Sequence, residues 1–203
     1  IHIIAQALWV GRSDEYVPDW MQVSKRHAAR RLREIDLTRA LPIPVRGGGP
    51  DGDTNHLSVV DAAGNAVAIT QSIGPGFGSK VANPALGFFY AYSYDMNDEP
   101  VPFQREKTSQ SPTMLLNDGA PFLVLGSAGS GRIPGSIVRT VVNVIDHGMP
   151  LEDAVAARRW FIADNELRIE ATGLPSQTRE DLEALGYALN LYEGLDGYFA
   201  RVH

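Results

Sequence analysis

In the stretch Asp53-Thr54-Asn55-His56-Leu57-Ser58-Val59-Val60-Asp61, a threonine follows a glycine-rich loop (Gly47-Gly48-Gly49-Pro50-Asp51-Gly52) and immediately precedes an apolar, β-branched run. A threonine hydroxyl is a weak nucleophile unless a base sits beside it. One solution makes the threonine the first residue of a chain, so that its own α-amine takes the proton. That requires cutting the Asp53–Thr54 bond, and a flexible Gly/Pro/Asp loop is a place for such a cut. The plainer reading is a threonine that merely opens a strand. His56 stands two residues on, but side chains at i and i+2 need not converge on one proton, so it is read as structural rather than as a general base. Asp61 and Asn65 are assigned to the turn that follows.

The second candidate is Phe122-Leu123-Val124-Leu125-Gly126-Ser127-Ala128-Gly129-Ser130-Gly131-Arg132, which reads as strand, glycine turn and helix. Helix N-terminal amides bind anions, so the segment invites a nucleotide reading. It lacks a Gly-Lys-Ser/Thr ending, no acidic residue ends a second parallel strand downstream, and its strand belongs to a hairpin. The same physics has another use. Consecutive backbone N–H groups can face the oxyanion that forms when a nucleophile attacks an amide carbonyl.

These segments must be positioned by a chain of 203 residues, long enough for one sizeable core, with ordinary globular composition at 44% hydrophobic. The net charge of -6 argues against a nucleic-acid partner. Zero cysteines exclude disulfides, thiolate catalysis and cysteine-ligated zinc. No apolar run approaches the roughly 20 residues of a membrane span. The chain opens within a helical pattern and closes within a strand-like run, so it is read as an internal fragment, in which a missing signal peptide is uninformative.

Hydrophobic spacing predicts a helix over residues 1–17 and a second one capped by Ser24 and running to Ile35, followed by a proline- and glycine-broken linker. Strands are expected at 56–60 and 66–72 around a turn at 62–65, a loop at 74–79, a strand-like segment at 87–94, and a hairpin of 113–116 with 121–125. A helix over 134–147 ends at Gly148. A short helix at 151–159, a strand at 166–170 and a helix at 176–185 closed by Gly186 complete an α+β pattern.

The residues around Thr54 resemble the self-cleavage site of the γ-glutamyltranspeptidase family, whose small subunit begins Thr-Thr-His-x-Ser-Val-Val-Asp. Thr54, His56, Ser58, Val59, Val60 and Asp61 match, with Asn55 replacing the second Thr. Gly126 to Ile133 resembles the family's Gly-Ser-Pro-Gly-Gly-Ser-Arg-Ile segment, which implies that the amides of Gly129 and Ser130 are the oxyanion donors. Thr108-Ser109-Gln110-Ser111-Pro112-Thr113 resembles Ser-Ser-Met-Ser-Pro-Thr, implying that Thr108 and Ser109 hold a substrate carboxylate. Ser72 falls where the family has a hydroxyl touching the nucleophile. Further matches are Val141-Val142-Asn143-Val144-Ile145-Asp146-His147-Gly148, Glu166-Leu167-Arg168-Ile169-Glu170, and Ile1 to Ala7 with Gln6 in place of Glu. The resemblance is collinear over nearly the whole chain. It implies the N-terminal-nucleophile hydrolase fold, a four-layer αββα sandwich of which this chain is a part. Residues 1–53 would be the helical end of a large subunit with its linker, and 54–203 the small subunit, truncated at its C-terminus.

Departures bear on substrate. The family's Asn two residues after the second-strand hydroxyl is Gly74 here, and Ser130 replaces a glycine. The family's acidic segment that grips the glutamyl amine is reduced to Asp95, and Asp95 stands too near Thr108 for the lid loop found in many members. The implied function is an autoprocessing threonine-nucleophile amide hydrolase or acyltransferase. It would pass a γ-glutamyl or related acyl group from a small-molecule amide to water or an amine, alongside the large-subunit portion of the same precursor. Alternatives are a cephalosporin-acylase-like amidase with a different acyl group, and a catalytically silent homologue. No cofactor or metal is called for by this chemistry. A periplasmic or extracellular location is implied by the resemblance alone.

Overall fold

The computed structural model describes residues 1–12, 19–22, 24–42, 52–92, 103, 108–194 and 197–203. Helix α1 (His2–Arg12), the short α2 (Asp19–Gln22) and α3 (Lys25–Arg31) precede a 3-10 turn at Leu32–Glu34. The strands β1 (Gly52–Val60) and β2 (Ala66–Pro75) are followed by the two-residue β3 (Ala82–Asn83) and β4 (Phe88–Phe89). Then come β5 (Thr113–Asn117), β6 (Ala120–Leu125), β7 (Ser127–Ala128) and a 3-10 turn at Ser130–Arg132 leading into α4 (Ile133–Ile145). The chain continues through α5 (Leu151–Ala156), β8 (Trp160–Ala163), β9 (Glu166–Glu170), α6 (Ser176–Ala184), β10 (Ala188–Tyr192) and β11 (Arg201–Val202). Among the described residues no helix is long and apolar enough to cross a membrane.

Two compact units emerge, residues 1–47 with 158–196, and 48–157 with 197–203. In the first, β9 is the middle strand, antiparallel to β8 and parallel to β10, with α6 making the crossover. Its core is Ala5, Ile162, Leu167, Leu182 and Tyr187. Gln6 is fully buried there. Its Nε2 donates to the carbonyls of Asp36 (2.6 Å) and Arg39 (2.9 Å), and its Oε1 accepts from the Asp36 N–H at 2.7 Å. An amide both donates and accepts, which an ionised glutamate in its place could not do. Burial pushes the Tyr187 hydroxyl, bonded to His2 Nδ1 at 2.8 Å, up to about 12.

The second unit carries the β1–β2 and β5–β6 hairpins, and β7 pairs with β11. Its core is Leu123, Leu125, Ile133 and Ile137, with Leu115, Val141 and Val202 packed on it. Beneath the glycine turn, Ser136 Oγ donates to Ser127 Oγ at 2.8 Å, and Ser127 Oγ donates to the Arg201 carbonyl at 2.8 Å. The turn after β1 is closed by Asp61, whose Oδ2 accepts from the Asn65 side-chain amide at 2.7 Å and whose Oδ1 accepts from the N–H groups of Asn65 and Ala63, which together hold the carboxyl below the usual range.

Several expected boundaries move. Ser24 does cap α3, its Oγ accepting from the His27 N–H at 3.1 Å, but the helix tightens into the 3-10 turn before Ile35. For the first helix, residues 13–17 lie outside the described residues. β2 runs on to Pro75, so the loop begins later than Gly74. In the segment at 87–94 only Phe88–Phe89 forms a strand, paired with Ala82–Asn83, while the Tyr90 and Tyr92 N–H groups bond to the Val81 and Ile73 carbonyls, and its last two residues lie outside the described ones. The helix at 151–159 stops at Ala156 because the chain turns extended at Ala157 and enters β8, a strand the helical pattern hid. Gly148 and Gly186 adopt the positive φ (64° and 93°) expected of residues that end helices.

The pairing of β8 with β9 closes around an ion pair. Arg159 Nε donates to Glu170 Oε1 at 2.9 Å, its NH2 meets the same oxygen, and the Arg159 backbone N–H donates to Oε2 at 2.8 Å. Both residues are under a tenth exposed. Breaking a buried pair by removing one partner is strongly destabilising. Glu170→Ala should therefore lower stability by about 3–5 kcal/mol in chemical denaturation of the full-length protein, whereas a surface pair such as Arg179–Glu183, truncated in the same way, should cost at most about 1 kcal/mol.

Candidate active site

Thr54 lies in β1 opposite Ser72 of β2, in a ladder that continues as His56 opposite Thr70 and Ser58 opposite Ala68. Side chains alternate along a strand, so Thr54, His56 and Ser58 share one face with Ser72 and Thr70. That face is hydrogen-bonded throughout. The Thr54 hydroxyl donates to Ser72 Oγ at 3.0 Å, and Ser72 Oγ also accepts from the Gly74 N–H at 3.2 Å. Gly74 has φ +85°, a conformation that glycine adopts without strain. The ladder shifts register between Gly52, opposite Pro75, and Thr54. The peptide bond before Thr54 thus falls at an irregularity in the pairing rather than inside a regular ladder. Asp53 has its backbone in β1, and its side chain lies outside the described residues.

His56 is 5% exposed. Its Nδ1 shares a hydrogen bond with Thr70 Oγ1 at 2.7 Å and its Nε2 one with Ser58 Oγ at 2.9 Å. Both ring nitrogens are thus engaged with hydroxyls, and neither is bonded to Thr54. The ring also lies against Gly126, where an added Cβ would come within 2.1 Å of Nδ1. Gly126 is pinned from its other side by paired backbone bonds with His203 (3.0 and 2.9 Å). This contact sets the glycine turn beside β1.

Beyond it the turn is conformationally demanding. Gly129 has φ +139°, and a Cβ there would stand 2.6 Å from the Cα and Cβ of Ala200. Ser130 follows at φ +55°, where a side chain costs roughly 1–2 kcal/mol. Ser109 Oγ donates to the Ser130 carbonyl at 2.9 Å. Thr108 is exposed, and its Oγ1 accepts from the Gln110 N–H at 3.1 Å. The structure thus brings Thr54 to Ser72, and Ser109 to Ser130. Asp95 lies outside the described residues. Antiparallel pairing of β5 with β6 removes the parallel unit a nucleotide loop would need. Gly126, Thr70 and Ala200 were not singled out by sequence. Gly126 opens the glycine run directly after a strand, which was the available signal.

Burial, and after it the charge on His203, hold the His56 pKa below the ordinary 6.5. The folded protein keeps the ring neutral where the unfolded chain protonates it. The associated stability is present above about 6.5 and is lost as pH falls from there through the lowered folded value. Denaturation of the full-length protein at neutral and mildly acidic pH should show this loss, and His56→Asn should flatten it.

Residues 17–203 match the family model for gamma-glutamyltranspeptidase. The chain is 32% identical over 205 residues to the acylase ACY 1 proenzyme of Pseudomonas sp. (strain SE83), covering 92% of this chain and 37% of that protein. It is 30% identical over 213 residues to the glutathione hydrolase proenzyme of Escherichia coli (strain K12), covering 92% of this chain and 36% of that one. The crystal structure of cephalosporin acylase from Bacillus halodurans superposes with TM-score 0.74 at 27% identity, covering 94% of this chain and 35% of that one. The chain therefore spans just over a third of the length of these relatives.

Proposed function

Because the chain belongs to the γ-glutamyltranspeptidase family and has its N-terminal-nucleophile hydrolase fold, we propose that it carries the nucleophile of an autoprocessing amide hydrolase or acyltransferase, with Thr54 as that nucleophile. The observation that carries the reading is the Thr54 hydroxyl bonded to Ser72 Oγ at a break in the β1–β2 ladder. In the first stage Thr54 Oγ attacks the Asp53 carbonyl. The C–N bond breaks as the ester forms, and the Thr54 nitrogen leaves as a free amine. Water hydrolyses the ester, so that residues 1–53 end a large subunit and Thr54 begins a small one. In the second stage the new amine takes the hydroxyl proton while Oγ attacks a substrate amide. The amides of Gly129 and Ser130 face the developing oxyanion, and the departing amine takes up the proton. Water or an acceptor amine then releases the acyl group.

Ser72 orients the Thr54 hydroxyl for both stages. Thr108 and Ser109 border the acyl end of the site, with Asp95 assigned beside them from sequence. The acyl group is γ-glutamyl or a close relative of it. The reduction of the amine-gripping acidic segment, and the similarity to proteins named as acylases, favour a second reading with an acyl group that bears a carboxylate and no amine, such as glutaryl.

Full-length wild-type protein should split into two chains, the smaller beginning at Thr54, in intact-mass and N-terminal analysis. Thr54→Ala should stay whole, and Ser72→Ala should split about tenfold more slowly or worse. The wild type should then hydrolyse γ-glutamyl or glutaryl anilides. A wild type that stays in one piece would mark a catalytically silent homologue instead.

A further inference from the structure

Ser130 is the residue of the glycine turn whose conformation a side chain resists, and the structure shows what holds it. Its carbonyl accepts twice, from the Ile133 N–H of the 3-10 turn and from Ser109 Oγ at 2.9 Å. A carbonyl oxygen has two lone pairs, so both are filled. Ser109 is itself tied down by a relay of hydroxyl-to-carbonyl bonds. Thr113 Oγ1 donates to the Ser111 carbonyl at 2.9 Å, and Ser111 Oγ donates to the Ser109 carbonyl at 3.0 Å. Thr113 is the first residue of β5, whose strand pairs with β6, the strand that feeds the turn. The relay thus braces the far side of the glycine turn against the hairpin that launches it.

We propose that Ser109 is a positioning residue for the oxyanion loop, clamping the Ser130 carbonyl so that Ser130 stays at positive φ with its amide turned to the reacting carbonyl. This rests on the reading of the Gly129 and Ser130 amides as oxyanion donors. It departs from the role that resemblance implies for Ser109. A hydroxyl has one proton to donate, and the proton of Ser109 is spent on Ser130. A substrate carboxylate could recruit it only by taking it from the Ser130 carbonyl, which would then keep the Ile133 N–H alone. Thr108 is differently placed. Its Oγ1 accepts from the Gln110 N–H and keeps its own proton for a ligand.

Glycine at position 130 would adopt positive φ without strain, so the clamp should matter only while a side chain is there. The test is a double-mutant cycle on full-length, processed protein, with Ser109→Ala, Ser130→Gly and the pair. Turnover of the γ-glutamyl or glutaryl anilide that the wild type accepts is normalised to the processed fraction, and melting temperature is recorded for each variant. Ser109→Ala should lower kcat about 10- to 100-fold with KM within about twofold. In the Ser130→Gly background the same change should cost about threefold or less. Ser109→Thr, which keeps the hydroxyl, should retain kcat, and Thr108→Val should raise KM instead. The proposal is overturned if Ser109→Ala raises KM and leaves kcat alone, or if its cost is equal in both backgrounds. A Thr54→Ala control separates the two levels, since activity that survives it defeats the nucleophile assignment itself.

Discussion

The register of β1 against β2 is the constraint on which the site depends. With Thr54 opposite Ser72, the even-numbered residues of both strands share a face that carries hydroxyls and one imidazole. A slip of one residue would move all of them to the other face and replace them with Leu57, Val59, Val67 and Ile69. The register ends where chemistry is proposed to begin, at the shift between Gly52 and Thr54. Hydrogen bonding along the even face is dense enough that each polar group there has a partner before any substrate arrives.

His56 links that face to the glycine turn. Its two nitrogens are satisfied within the hairpin, and its ring fills the space where a side chain at position 126 would lie. Holding the ring neutral is part of this fit, because a protonated imidazole could no longer accept from a hydroxyl. The turn then needs a true glycine at 129, where Ala200 approaches, yet tolerates serine at 130. Local strain retained in a loop, and compensated by surrounding bonds, is the pattern expected of preorganised sites.

Much of this was legible in the sequence. Alternation and turn residues located both hairpins, and Asp61 with Asn65 marked the tight turn. The helix stops at Gly148 and Gly186 were readable because glycine adopts positive φ cheaply. Other features were not readable. Trp160–Ala163 follows a helix without a glycine or proline break, so its strand character comes from pairing with β9 rather than from local sequence. The partner strand β10 is likewise set by its parallel neighbour. At the site, the family resemblance pointed to the hydroxyls of Ser72, Thr108 and Ser109 and to the contact of Ser72 with Thr54, but not to the partner of Ser109. Ser109 looked like a ligand for substrate, and only the fold places its proton on Ser130. Gln6 looked like a departure from pattern until the surrounding carbonyls of Asp36 and Arg39 gave its amide a reason.

The central claim is that Thr54 Oγ attacks acyl carbonyls. Its most direct test is to treat the processed full-length protein with an electrophilic analogue of the acyl group and map the adduct by peptide mass spectrometry. The account predicts one adduct per small subunit, on the N-terminal peptide and borne by the oxygen of Thr54. An adduct on Ser109, Ser130 or another residue, with Thr54 unmodified, would contradict it.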